Sequence, residues 1–250
     1  MSIYNENLAV LKQRYPDICE ALENVSDDGS VAVGDAIDGD CFLAILDGDA
    51  VIPLSSIYSP THEAERFMMQ FTKHMNPLHI VFGNGEIVRR ILRDRTMYEE
   101  CIVCEPSLIL LQKAMETYDL RDIFQCQSFH FLVSGVNDDK LYPILTDHID
   151  YVNWEDFIYV SLPKYRELYE EAEDRVFTVF SQTQHQGRVD RNTLIHFSKI
   201  GSDNEILSLQ WICRGKNFYD LQPYITKRNI CIMVAAGPSL EKNVEGLKKA

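Results

Sequence analysis

The stretch from Leu78 to Glu105 constrains the fold more than any other part of the chain. It opens on the apolar run His79-Ile80-Val81-Phe82 and breaks into Gly83-Asn84-Gly85-Glu86. Ile87, Val88, Ile91 and Leu92 then fall on one helical face, and a second apolar run, Cys101-Ile102-Val103-Cys104, ends at Glu105-Pro106. Strand, glycine turn, helix, strand and acid in that order make a βαβ unit of the nucleotide-binding kind. The two glycines permit a sharp turn and leave amides free at a helix start, where an anion is favoured. Glu105 follows Gly85 by 20 residues, about where such units carry a ribose-binding acid. Val88 stands at the third glycine position of G-x-G-x-x-G, so the pattern specifies the fold more strongly than the ligand.

Further apolar runs extend the sheet. Phe129 to Val133 and Phe157 to Val160 read as strands, separated by helical patterns over Ser107 to Thr117 and Asp139 to Ile149. Strands alternating with helices imply an α/β fold, a Rossmann-like, mostly parallel sheet with helices on both faces. Before it lies a small α+β subdomain. Residues 3–25 read as a helix split by Pro16, followed by short strands at Val31 to Ile37, Cys41 to Leu46 and Ala50 to Leu54. Asp38-Gly39 and Asp47-Gly48 are turn dipeptides, which makes these strands an antiparallel meander. The aspartates crowding this region lack calcium-loop spacing and read as solvated turn residues. Ser59-Pro60 then caps and starts a helix whose apolar stripe is Ala64, Phe67, Met68, Phe71 and Met75.

A single long helix is expected from Lys164 to Phe180, with Glu167, Glu170, Glu171, Glu173 and Asp174 on its solvated side. Residues 192–217 also read as helical. Asn229 to Val234 forms a new strand, Ala235 to Leu240 a tight loop, and 241–250 a helix that stops with the sequence. A first βα unit with no sheet after it suggests a fragment cut just inside a second domain. The expected organisation is an N-terminal α+β subdomain over 1–77, a Rossmann-like domain over 78–180, a helical linker over 181–229 and a truncated domain start over 230–250.

The net charge of −14 over 250 residues argues against a nucleic-acid surface, which needs a basic stripe. No run approaches the ~20 apolar residues of a membrane span, and the N-terminus is no signal peptide. With no export signal, an odd seven cysteines suit a reduced, cytoplasmic setting. Cys101 and Cys104 lie in a strand, where residues three apart point to opposite faces, so they cannot close on one metal. The histidines form no H-x-x-x-H or H-x-E pattern, and no metal ligand is expected.

Three segments together resemble one family. Leu54-Ser55-Ser56-Ile57-Tyr58-Ser59-Pro60 with Glu63-Ala64-Glu65 is similar to the hS-x-Y-x-P-x-x-E-A pattern that opens its N-terminal domain. Phe82-Gly83-Asn84-Gly85 with Val103-Cys104-Glu105-Pro106-Ser107 resembles its G-x-G and E-P pair. Val234-Ala235-Ala236-Gly237-Pro238-Ser239-Leu240-Glu241-Lys242-Asn243 resembles the G-P-S-L-D/E-K-N signature of its catalytic domain. These are marks of the motility-associated factor (Maf) proteins, bacterial glycosyltransferases that decorate flagellin with nonulosonic acids. The resemblance implies a parent protein that transfers pseudaminic or legionaminic acid from a CMP-activated donor to flagellin Ser or Thr. Residues 230–250 would then begin the catalytic domain, and Gly237, Pro238 and Ser239 would form a loop whose amides meet the donor phosphate. It assigns no catalytic residue to this chain, which would scaffold the catalytic domain or recruit flagellin, and it permits an oligomer. The same signature opens the related archaeal hydroxymethylpterin diphosphokinases.

Two other readings stay open. In an S-adenosylmethionine-type methyltransferase, Gly83-Asn84-Gly85 would meet the methionine end and Glu105 the ribose. Ser161-Leu162-Pro163-Lys164-Tyr165 would then replace the D-P-P-Y motif, with serine at its polar position. Alternatively the glycines serve only the turn, and Glu105 caps the helix after Ser107 or meets solvent.

Overall fold

The computed structural model describes residues 2–71, 78–83, 100–161 and 163–215. Two compact units divide the chain, Met1–Ile195 and His196–Ala250. In the first, helix α1 (Ile3–Arg14) starts where the Ser2 hydroxyl accepts a hydrogen bond from the Asn5 amide at 3.4 Å. Pro16 opens α2 (Pro16–Glu23), a position where its missing N–H is no loss. Leu11, Ile18 and Leu22 are buried, so both helices turn their apolar stripe to one core. Strands β1 (Val31–Asp35), β2 (Cys41–Asp47) and β3 (Ala50–Pro53) form an antiparallel sheet in that order. Gly39 and Gly48, with φ of 87° and 58°, supply the left-handed turn residues between them.

Helix α3 (Pro60–Phe71) leads to a four-stranded sheet. Its members are β4 (Leu78–Phe82), β5 (Cys101–Glu105), β6 (Phe129–Val133) and β7 (Phe157–Ser161), in the order β6-β5-β4-β7. Every pairing is parallel, with Phe82 opposite both Cys104 and Ser161. All five β5 residues are buried, as expected of a strand covered on both faces. Helices α4 (Leu108–Thr117), α5 (Arg121–Gln125) and α6 (Leu141–His148) connect the strands. The fold is thus an α/β, Rossmann-like sheet with a separate antiparallel meander, as the alternation of strand and helix patterns predicts.

The N-terminal helices are bonded into this sheet through polar side chains. Asn7 is fully buried; its Nδ2 donates to the carbonyls of Met115 (2.8 Å) and Tyr118 (2.7 Å), and its Oδ1 accepts from the Leu120 amide (2.9 Å). Carbonyls at the end of α4 that have no partner within the helix are satisfied in this way. At the edge strand β6, the Tyr15 hydroxyl donates to the Phe129 carbonyl (2.9 Å) and accepts from the Phe131 amide (3.1 Å). Arg14 donates to the carbonyls of Phe124, Cys126 and Phe129 beside it. Two side chains thus occupy backbone groups that an open edge would offer to another chain. Tyr15→Phe removes both β6 hydrogen bonds and should cost about 1–3 kcal/mol in urea unfolding; an unchanged midpoint would show that the edge does not depend on the hydroxyl.

One expected helix is two. The stretch from Lys164 to Phe180 breaks at Tyr169 into α7 (Pro163–Leu168) and α8 (Glu170–Arg214). Tyr165 is fully buried, and the Tyr169 ring packs on it with centroids 6.1 Å apart. Helical bonds still cross the break, from the Tyr169 amide to the Tyr165 carbonyl and from the Glu173 amide to the Tyr169 carbonyl. Glu173, expected on the solvated side, is buried and accepts a hydrogen bond from the Tyr159 hydroxyl at 3.1 Å. Gly187 lets α8 approach the 150–154 loop closely, since a Cβ there would lie 2.9 Å from both the Asp150 carbonyl oxygen and Trp154 Cβ. α8 continues without interruption across residues 180 and 181 to Arg214.

In the second unit the described residues, 196–215, are the last turns of α8 and the glycine after it. No helix among the described residues is long and apolar enough to cross a membrane.

Candidate functional site

The chain runs from β4 outward through β5 to β6, then returns to the other side of β4 to form β7. Such a reversal opens a crevice beyond the carboxyl ends of the strands, where α/β sheets bind ligands. Among the described residues, the chain leaves the sheet there at Gly83, Glu105, Val133 and Ser161. Gly83 has a φ of 126°, which excludes an ordinary side chain, and its amide donates to the Cys104 carbonyl at 2.9 Å. The structure therefore places the first glycine at a sharp turn on the end of β4, beside Glu105. Asn84, Gly85 and the helical pattern after them lie outside the described residues, as do Gly237, Pro238 and Ser239.

Glu105 is only 2% exposed, and Oε1 accepts a hydrogen bond from the Ser107 amide at 3.1 Å. Burial pushes its pKa up to about 8, against a smaller lowering by that amide. It is thus a mostly protonated acid at neutral pH, held at the start of α4, where the Ser107 hydroxyl caps the Leu110 amide. Tyr165 and Tyr169 lie near it. Burial first, and the Glu105 charge second, raise the pKa of both phenols. The buried Tyr165 hydroxyl and Ser161 Oγ have no hydrogen-bond partner among the described residues, which leaves two polar atoms at this end of the sheet able to meet a ligand or water.

Burial also raises the Cys104 thiol to about 12, so it stays protonated and unreactive. Cys101 is buried too, and both cysteines lie within the strand β5.

Beside Pro163, just past the end of β7, a cavity of about 420 Å³ is lined by Ser56, Tyr58, Ser59, His62, Glu63 and Arg66. These residues form a rigid corner. The Ser56 amide donates to Glu63 Oε2 (2.8 Å), while Ser56 Oγ accepts from the Tyr58 and Ser59 amides (both 3.2 Å). Ser59 Oγ caps α3 by accepting from the His62 amide at 3.1 Å. The meander supports the corner from behind, because the amides of Ile37 and Asp38 donate to the carbonyls of Ile57 and Tyr58. Tyr58 is left 68% exposed at the rim. An exposed phenol, an arginine, a histidine and a fixed carboxylate around one opening suit a polar ligand or a peptide segment.

Sequence reasoning found the Ser56–Glu63 segment as a motif but placed no binding residue in it. The signal was the S-x-Y-x-P-x-x-E spacing itself, which returns Glu63 to the Ser56 amide across one helical turn. It also missed a group formed by Glu100, His130 and His148, whose ligand atoms all lie within 4.8 Å of one another.

No family model matches the chain. An uncharacterized protein of Treponema pallidum (strain Nichols) is 25% identical to it over 130 residues, which are 52% of this chain and 60% of that protein. The structure of a MAf glycosyltransferase from Magnetospirillum magneticum AMB-1 is similar with a TM-score of 0.42 and 11% identity, over 71% of this chain and 35% of that one. The chain therefore spans less than two thirds of the length of either protein.

Proposed function

We propose that this chain is the N-terminal region of a Maf-like glycosyltransferase, and that its α/β unit presents the acceptor to a catalytic domain opened by Gly237-Pro238-Ser239. The parent would work in the bacterial cytoplasm, moving pseudaminic or legionaminic acid from a CMP-activated donor to flagellin Ser or Thr. The observation that carries the reading is the corner at Ser56–Arg66. The residues that resemble the family's N-terminal motif are those that line one cavity at the ligand end of the sheet. A scaffolding role also suits Glu105, which as a buried, largely neutral acid is ill placed to contact a ribose. The methyltransferase alternative needs that contact.

The test is transfer by the parent protein with and without residues 1–228. On this reading, the deletion lowers flagellin modification at limiting flagellin by at least about tenfold, the effect of losing ~1.4 kcal/mol of acceptor binding. An undiminished rate would remove the recruiting role.

A further inference from the structure

At the opposite end of the sheet, three side chains far apart in sequence converge. Glu100 immediately precedes β5, His130 is the second residue of β6, and His148 ends α6, which has run back to the start of the strands. Their ligand atoms lie within 4.8 Å of one another, and the two imidazole rings meet edge to face with centroids 5.6 Å apart. We propose that Glu100, His130 and His148 form a binding site for a divalent transition-metal ion, with zinc the best match.

The hydrogen bonding points to a cation. His148 Nδ1 lies 2.7 Å from the Ile144 carbonyl oxygen. A carbonyl only accepts, so Nδ1 carries a proton and Nε2 is turned to the other side of the ring. Nε2 is aimed at Glu100 Oε2, a buried carboxylate oxygen with which it is in contact. A positive charge between the two, a metal ion or a proton, holds them together. A backbone carbonyl fixing the tautomer of a histidine is also the usual outer support of a metal-ligating imidazole.

His130 supplies a third ligand of the right kind. Its ring stands edge to face with that of His148, and its ligand nitrogen falls in the same cluster. Two imidazoles and one carboxylate are a known zinc ligand set that leaves the fourth position to water or another oxygen. Bonds of about 2.0–2.2 Å set tetrahedral ligand atoms roughly 3.3 Å apart. An ion would part Nε2 from Oε2 and draw His130 inward, a movement available to side chains at the margin of the sheet. A proton is the competing occupant, since it would turn His148 into an imidazolium paired with Glu100.

The experiment strips the whole protein with a chelator, equilibrates it with zinc, desalts it and measures bound metal. Affinity is read by competition with a chromophoric chelator, and cobalt substitution reports the ligand type. One equivalent of zinc is expected, with cobalt bands that lack thiolate charge transfer. His130→Gln, His148→Gln and Glu100→Gln should each weaken binding at least about tenfold. Glu100→Gln, at a half-exposed side chain, keeps the test decisive if a histidine variant fails to fold. Absence of stoichiometric zinc, binding unchanged in Glu100→Gln, or a thiolate spectrum would each overturn the proposal, and the first would leave the proton as occupant. None of these outcomes depends on glycosyl transfer.

Discussion

Replacing Asn7 with alanine should lower the stability of the protein by about 3–5 kcal/mol, the largest effect expected of any single polar side chain described above. The substitution removes three hydrogen bonds, to the carbonyls of Met115 and Tyr118 and from the amide of Leu120, in a fully buried site. Each such loss carries a penalty of roughly 1–3 kcal/mol, the carbonyls at the lower end. The effect exceeds that of losing a typical surface contact because water cannot replace the amide. Asn7→Asp should be no better: it still accepts from Leu120, but it can donate to neither carbonyl and buries a charge. Urea unfolding of the two variants measures this directly. A loss below about 1 kcal/mol would show that α1 is held to α4 by apolar packing alone.

The second large effect is a pH dependence. Glu105 has an ordinary carboxyl pKa of about 4.5 when unfolded, and burial raises it to about 8 in the folded chain. Between those values the folded state binds the extra proton, so this residue's contribution to stability falls as pH rises through that window. It is fully present below about 4.5 and gone above about 8. At about 1.4 kcal/mol per pH unit, the whole window corresponds to on the order of 5 kcal/mol, an upper figure because the site can relax or admit water. Glu105→Gln keeps the shape and removes the titration. Wild type and variant should have similar stability at pH 5, with the variant more stable by a few kcal/mol at pH 8. Parallel pH profiles for the two proteins would mean that Glu105 ionises freely in the fold and is open to solvent.

These two residues show what could and could not be read from the chain. Periodicity located the strands of both sheets to within a residue or two, because each is a short apolar run closed by glycine, proline or an aspartate turn. The Pro16 break and the Ser59 cap were legible for the same reason: proline and a capping serine act on the backbone within one turn. Asn7 gave no signal, since its partners lie more than 100 residues away and only the packed structure brings them together. The charge pattern around Glu173 favours a solvated face, whereas the residue sits beside buried Ala172 and Val176 and meets the Tyr159 hydroxyl, a partner that no local pattern shows.

The site divides along the same line. Gly83 and Glu105 were visible as a local motif, and the structure sets them side by side at the ends of β4 and β5. Their chemistry was not visible, because the difference between a ribose-binding carboxylate and a protonated, buried acid lies in desolvation by distant residues. The Ser56–Glu63 corner was visible as spacing and became a cavity only when β7 delivered Pro163 to it. Glu100, His130 and His148 have no motif spacing at all; the parallel register of β5 and β6 and the return of α6 assemble them.

On the proposed function, the Ser56–Arg66 corner receives a protein acceptor. The measurement that bears on it most directly is a calorimetric titration of the protein with unmodified flagellin, repeated with Tyr58→Ala. Tyr58 is 68% exposed at the rim, so its removal should leave the fold intact. The expected result is saturable flagellin binding that Tyr58→Ala weakens by about tenfold or more, the effect of losing an aromatic anchor. No binding of flagellin, or equal binding by the variant, would contradict it.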